Sequence, residues 1–171
     1  MSGDISLAAD CSACAALCCI AFAFTEGEEF AVDKPANEPC SNLRDKGRCA
    51  IYETRAESGY PGCLKFDCQG AGQRVVQQLF DGQSWQDDAK LVEPMSAAMR
   101  AMLVVHQQLQ LLRTAAALPL TPVEQSRLDE LLSVLEPEPE FTPETLADLD
   151  LKSVRSGVSE FLKGLRHHFA R

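Results

Sequence analysis

The sequence predicts a mainly α-helical protein, in which an irregular, cysteine-rich N-terminal module packs on a small antiparallel helical half. All eight cysteines lie between Cys11 and Cys68, and residues 69–171 contain none. Glycines and prolines recur throughout residues 25–72, and this excludes long regular elements there. After residue 72, apolar side chains recur at the three- and four-residue spacing of amphipathic helices. We therefore expect a metal-binding module at 1–72 and a helical domain at 73–171, either as two domains or as one continuous domain.

The periodicity of the second half predicts three or four amphipathic helices. A short helix is indicated at 75–80 and a longer one at 94–117, and another starts near 150. A further start is indicated at 121–124, where Thr121 is the N-cap, Pro122 stands in the first turn and Glu124 reaches back to the cap amide. Two prolines and three acidic residues make 136–140 a linker. Packing of the apolar faces predicts a small antiparallel bundle.

The charge and hydropathy exclude several partners. The formal net charge is −9, which argues against binding to nucleic acid or to an anionic membrane surface. No apolar run reaches the roughly 18 residues of a membrane-spanning helix. The longest run, at 13–24, has no basic segment before it, so a signal peptide is not expected. We therefore expect the protein to be cytoplasmic. Thiols stay reduced in the cytoplasm, so clustered cysteines there more often bind metal than form disulfides.

The spacing of the cysteines points to thiolate chemistry. In a CxxC pair such as Cys11 and Cys14, two sulfurs can approach one metal at about 2.3 Å from a tight turn. If 12–19 is helical, Cys11, Cys14 and Cys18 share one face, whereas Cys19 points about 100° away. We therefore expect Cys18 and Cys19 to serve different sites, or one of them to be spare, with the Cys63–Cys68 segment best placed to complete the first site. The candidate metal ligands are Cys11, Cys14, Cys18, Cys19, Cys40, Cys49, Cys63 and Cys68.

The donor set is expected to be all thiolate. The three histidines, His106, His167 and His168, lie far from the cysteines in sequence, and Asp33 and Asp67 are the nearest oxygen donors. Soft sulfur ligands select zinc, an iron–sulfur cluster or Cu(I) over magnesium or calcium. Eight thiolates can form two four-thiolate zinc sites, one four-iron cluster with spare thiols, or two clusters. The sequence leaves these alternatives open.

The same residues allow other interpretations. The even number of cysteines also fits a disulfide scaffold, and one or two cysteines can be buried apolar residues. Cys11 and Cys14 can form a redox pair, although the acidic charge of the chain would raise the pKa of a thiol. Residues 70–72 read as Gly-Ala-Gly, for which a turn into a helix is favoured over a dinucleotide fingerprint because no βαβ unit precedes it.

The arrangement of cysteines resembles the bacterial CxxCxxCC cysteine-cluster family, whose members are described as zinc- or iron-chelating. This chain has three residues, Ala15-Ala16-Leu17, where the usual motif has two. A closer resemblance, over roughly residues 11–85, is to the cysteine-rich region that precedes pentapeptide repeats in some actinobacterial proteins. It is carried by Asp33-Lys34-Pro35, Pro39-Cys40-Ser41-Asn42-Leu43, Arg48-Cys49-Ala50-Ile51, Gly59-Tyr60-Pro61-Gly62-Cys63 and the stretch from Asp67 to Gln73. The resemblance implies a metal-binding cysteine module without the repeats, and it implies no known reaction.

These observations lead to one principal expectation and two alternatives. We expect a metal-binding protein with an all-cysteine site, holding zinc or an iron–sulfur cluster. One alternative is an iron–sulfur redox or electron-transfer protein. The other is a metal-scaffolded interaction module that binds a protein partner through its helical half. The sequence shows no constellation of catalytic residues, so enzymatic activity stays undecided.

Overall fold

The computed structural model describes residues 5–44 and 47–169, and it is mainly helical, which confirms the predicted fold class. The described part of the chain contains seven α-helices and one two-stranded antiparallel sheet. None of these helices combines the length and the apolar character of a membrane-spanning segment. The helices are α1 (Cys18–Ala21), α2 (Gly62–Lys65), α3 (Ala71–Arg74), α4 (Val92–Ala115), α5 (Pro122–Leu135), α6 (Pro143–Ala147) and α7 (Leu151–Gly164). The strands are β1 (Leu43–Arg44) and β2 (Arg48–Cys49).

Short non-α turns complete the secondary structure. Helix α3 continues directly into a π-helical turn, so together they replace the single helix predicted at 75–80. The predicted helix at 94–117 is α4, which begins two residues earlier and ends two residues earlier. The 3₁₀ turns are Cys11–Ala13, Tyr52–Thr54, Ala89–Leu91 and Leu165–Phe169, and the π-helical turn is Val75–Leu79.

The chain forms two compact units, residues 1–103 and 104–171, and the division falls inside α4. The predicted domain boundary at 72/73 stays a prediction, because a division by backbone compactness does not show which part folds alone. The first unit contains all eight cysteines, and the second contains α5, α6 and α7.

The core of the first unit is built around the fully buried side chains of α1. Leu17 and Ile20 have no exposed surface, although α1 is only one turn long. Their burial explains why so short a helix persists, since an isolated turn of helix is unstable in water. The apolar side chains of α3, the π-helical turn and the first part of α4 complete this core: Ala71, Val75, Val76, Met95, Met99 and Met102.

The condition under which Cys11, Cys14 and Cys18 would share one helical face is not met, because residues 12–19 do not form one helix. The Asp10 side chain instead caps a 3₁₀ turn by accepting from the Ser12 amide at 2.9 Å. Cys14 is extended, and Ala16 has a left-handed φ of 53°. Short polar caps compete with helical hydrogen bonding in this way. The helix therefore begins only at Cys18.

Side chains from residues 73–85 hold the irregular segment that carries the first cysteines. The carbonyl of Ala8 accepts from Gln73 Nε2 at 2.9 Å. The carbonyl of Ala13 accepts from Gln77 Nε2 at 2.9 Å. The Trp85 indole N–H donates to Ala15 at 2.7 Å. These bonds satisfy backbone groups for which regular structure offers no partner.

The second unit is held by capped helices with buried apolar stripes. The predicted start of α5 is confirmed: Thr121 Oγ1 accepts from the Glu124 amide, and Glu124 Oε2 accepts from the Thr121 amide at 2.8 Å. An equivalent reciprocal cap joins Thr142 and Thr145 at the start of α6. Helices α5 and α7 contact each other. Their buried residues are Leu128, Leu131, Leu135, Val154, Val158 and Phe161.

We predict that Arg100→Met lowers the free energy of unfolding of the first unit by about 1.5–3 kcal/mol, because two acceptors lose the charged group that donates to them. Arg100 Nη1 donates to the Ala21 carbonyl at 2.9 Å and to Asn37 Oδ1 at 3.0 Å. Urea unfolding followed by far-UV circular dichroism measures the change. Arg127→Met is the control, since Arg127 pairs with Glu130 on an exposed face and should cost under about 1 kcal/mol. Equal unfolding midpoints for the two variants would show that the hydrogen bonds of Arg100 do not stabilise the first unit.

Candidate metal centre

The structure brings the eight cysteines together in the first unit as free thiols, and no disulfide joins any of them. Burial raises the pKa of the Cys11 thiol, and the neighbouring Cys18 and Cys68 thiols raise it further. Burial likewise raises the pKa of Cys14 to about 12, again with contributions from Cys18 and Cys68. The first thiol group therefore consists of Cys11, Cys14, Cys18 and Cys68.

A second thiol group lies around Cys63. Burial raises the pKa of the Cys63 thiol, and the thiols of Cys18, Cys40 and Cys49 add to the effect. The Cys40 amide donates to the Cys19 carbonyl at 3.0 Å, which ties the loop carrying Cys40 to α1. We call Cys19, Cys40, Cys49 and Cys63 the second thiol group; Cys19 is included because its thiol and that of Cys40 both act on Lys34.

Cys18 and Cys19 join the two groups. Their Sγ atoms lie 3.9 Å apart and share a weak hydrogen bond. The expectation that these two side chains point apart is therefore wrong, because their sulfur atoms lie within hydrogen-bonding distance of each other. That hydrogen bond, together with burial, raises the pKa of Cys18 well above its ordinary value. The assignment of Cys18 and Cys19 to different metal sites stays a prediction.

The glycines after Cys68 let α3 approach the first thiol group. Gly70 has a φ of +81° and begins the turn from Cys68 into α3, which confirms the interpretation of 70–72 as a turn. A Cβ atom on Gly72 would lie 2.7 Å from Cys14 Sγ, a distance that real Cβ contacts do not allow. The absence of a side chain at Gly72 therefore makes room for the Cys14 thiol.

Two cations accompany the thiols. Lys34 is only 6% exposed, and its Nζ donates to the carbonyls of Pro35 and Glu38 at 2.7 and 2.8 Å. Burial lowers the pKa of Lys34, and the thiols of Cys40 and Cys19 oppose that shift. The Arg55 guanidinium partly offsets the raised pKa values of Cys11 and Cys63. The sequence did not single out either cation as a site residue, because each reaches the thiols only through the fold.

The predicted oxygen donors serve the backbone. Asp33 Oδ1 accepts from the Glu26 amide at 2.8 Å, and Asp67 Oδ1 accepts from the Gln69 amide at 2.8 Å. All three histidines belong to the second unit, where His106 is fully buried within α4. The donors gathered around the cysteines are therefore sulfur atoms.

The thiols are grouped more loosely than the ligands of a bound ion. Among the described cysteines, no three Sγ atoms all lie within 4.8 Å of one another. Four sulfurs around one zinc ion would be about 3.8 Å apart, given zinc–sulfur bonds of about 2.3 Å. Binding therefore requires the side chains to turn inward, which is easy for the exposed Cys11.

The raised pKa values of the thiols bear on the alternative that Cys11 and Cys14 form a redox pair. A reactive CxxC pair depends on a thiolate whose pKa is lowered by positive surroundings. The pKa values of both Cys11 and Cys14 are raised instead, chiefly by burial. Protonated thiols are poor nucleophiles, so this geometry disfavours thiol catalysis. A metal cation would reverse the balance by displacing the protons.

Comparison with known proteins gives one informative match. The sequence is 31% identical over 156 residues to a Bacillus subtilis (strain 168) protein described as "Uncharacterized protein YybG". The alignment covers 91% of this chain and 56% of that protein, so the chain spans little more than half the length of this relative. No protein-family model and no solved structure matches. The resemblance to the CxxCxxCC family therefore stays a prediction.

We predict that Cys14 in the metal-free protein reacts with iodoacetamide at a rate that rises about tenfold per pH unit from pH 7 to 10. A thiol with a pKa of about 12 gains thiolate throughout this range and reaches no plateau. Peptide mass spectrometry of timed samples measures the rate. The urea-unfolded protein is the control, because an exposed thiol has a pKa of about 8.5 and levels off above about pH 9. A plateau at or below pH 9 in the folded protein would contradict the prediction.

Proposed function

We propose that this protein binds metal ions through its eight cysteines, in a thiolate centre formed by residues 11–68. The proposal depends chiefly on one observation: thiols that are up to 57 positions apart in the sequence come together as one connected set with no disulfide. The eight thiols are exposed or half-buried, so packing of an apolar core does not account for their being together. Their gathering is accounted for by a ligand that takes sulfur.

The donor set fits zinc or an iron–sulfur cluster. Thiolates select these metals over magnesium and calcium. The two thiol groups contain four cysteines each, the number that a closed structural zinc site requires. Thiolate ligands bring negative charge, and Lys34 and Arg55 stand where they would offset part of it. Metal binding would release the thiol protons and order the loops between the cysteines.

We further propose that the centre works in the cytoplasm and that its metal is a scaffold. The eight thiols stay available as ligands only under reducing conditions, which the cytoplasm provides. A protein partner would then bind to the helical half, where Val123 and Phe169 are 80% and 70% exposed.

The metal content of protein purified without oxygen tests the proposal. We expect about two zinc ions per chain, or iron with sulfide and broad visible absorbance, given two groups of four thiolates. Cys14→Ser/Cys68→Ser and Cys40→Ser/Cys49→Ser should each lose about half of the metal, because each variant opens one thiol group. Ser41→Ala, which keeps every thiol, should retain all of it.

Each outcome of the metal analysis decides between stated alternatives. Colourless protein with zinc supports the scaffold, whereas iron with sulfide favours the electron-transfer alternative within the same thiolate centre. Metal-free protein in which all eight thiols react with a disulfide reagent would overturn the proposal. Metal-free protein without reactive thiols would restore the disulfide scaffold.

We predict that Gly72→Ala weakens metal binding at the first thiol group at least about tenfold, the smaller of the effects seen when the surroundings of metal ligands are altered. The added methyl group displaces Cys14 Sγ from its place beside α3. Competition with a chelator measures the two affinities. The control is Gly27→Ala, where nothing lies within 4 Å of the added carbon. Unchanged affinity in Gly72→Ala would show that Cys14 is not a ligand in this orientation.

A further inference from the structure

We propose that the second unit contains a separate metal site, formed by Glu124, His167 and His168, that takes a divalent first-row ion such as Zn²⁺. The proposal is independent of the thiolate centre, because no cysteine lies in this unit. The three ligand atoms all lie within 4.8 Å of one another, and no other such group of three occurs in residues 5–44 and 47–169.

The cap of α5 orients the Glu124 carboxylate. Oε2 accepts from the Thr121 amide and from Thr121 Oγ1, both at 2.8 Å. Oε1 lies 3.3 Å from His168 Nε2 and 3.4 Å from His167 Nε2. These cap bonds, with a smaller contribution from His168, lower the pKa of Glu124. His168 Nε2 also lies 3.3 Å from Oε2. Glu124 is therefore a fixed carboxylate that lies beside two imidazoles.

A backbone carbonyl orients His167. Its Nδ1 lies 3.0 Å from the Gly164 carbonyl, which can only accept, so Nδ1 carries a proton and donates it. This leaves Nε2 as the atom that faces Glu124. Metal-ligating histidines usually donate their other ring N–H to a carbonyl or carboxylate in this manner. The rings of His167 and His168 lie 4.1 Å apart by centroid, so both are on the same side of the terminal 3₁₀ turn.

The atoms that meet here are ligand atoms for a metal. With the proton of His167 on Nδ1, its Nε2 lone pair lies beside a carboxylate oxygen. A metal ion bound to these atoms would take the place of a proton in balancing the carboxylate charge. Two imidazoles and one carboxylate are a ligand set that holds zinc while leaving coordination positions for water. The side chains of Glu124 and His168 are 18% and 10% exposed, whereas His167 is 58% exposed, so one side stays accessible to an ion.

The test uses the full chain with its cysteines first saturated with zinc. Further Zn²⁺ is added, and long-range ¹H–¹⁵N spectra of the histidine rings are recorded. We expect the Nε2 signals of His167 and His168 to shift together, while those of His106, fully buried in α4, stay in place. These signals report only this site, so the result is independent of whether the thiolate centre exists.

Two variants decide whether Glu124 is a ligand. Glu124→Gln keeps an oxygen for the Thr121 cap but removes the charge, and it should weaken Zn²⁺ binding at least about tenfold. Glu160→Gln alters a second glutamate, which lines a groove together with Glu124 but is not one of the three ligands, and this variant should bind Zn²⁺ like the unaltered chain. Circular dichroism checks that both variants fold. Absence of shifts in the histidine signals would overturn the proposal. Equal Zn²⁺ affinity in Glu124→Gln and in the unaltered chain would also overturn it, because the two histidines would then bind the ion without Glu124.

Discussion

Three side-chain donors support the backbone that carries the first cysteines, and the arrangement of the candidate metal ligands depends on them. Gln73, Gln77 and Trp85 bind carbonyls of residues 8–15, a segment without α-helix or strand. A polar backbone leaves water only if its groups find partners. Because these partners come from the chain after the last cysteine, the cysteine module takes its shape from residues outside it. The positions of the first cysteines therefore depend on residues 73–85 as well as on the cysteine-rich segment itself.

Charge imposes the second constraint on the centre. Burial, with smaller contributions from neighbouring thiols, raises the pKa values of Cys14 and Cys63. The hydrogen bond to Cys19, together with burial, raises the pKa of Cys18. Lys34, nearly buried and bound to two carbonyls, keeps a positive charge beside the second thiol group. A metal ion would supply the remaining positive charge. Binding, proton release and ordering of the loops are then parts of a single equilibrium.

In the second unit, a residue that starts a helix also takes part in the proposed histidine site. Glu124 closes the cap of α5 with Oε2, and its carboxylate also lies beside the rings of His167 and His168. The cap immobilises the carboxylate at little cost in side-chain entropy, since the helix already needs it. Binding sites gain from ligands that the fold has oriented beforehand. The terminal 3₁₀ turn supplies the matching constraint by placing two adjacent rings on one side.

The sequence by itself determined the helical second half, the start of α5 at Thr121 and the concentration of cysteines. These features arise from periodicity, local capping and composition, which act over a few residues. Tertiary structure decided that 12–19 is not one helix, since Gln77 and Trp85 bind the carbonyls of Ala13 and Ala15 that a helix would use internally. It also decided that Cys68 joins Cys11 and Cys14, and that Lys34 and Glu124 stand beside their partners. Such proximities join residues that are far apart in the sequence, and they depend on the packing of the whole core, which no local pattern records.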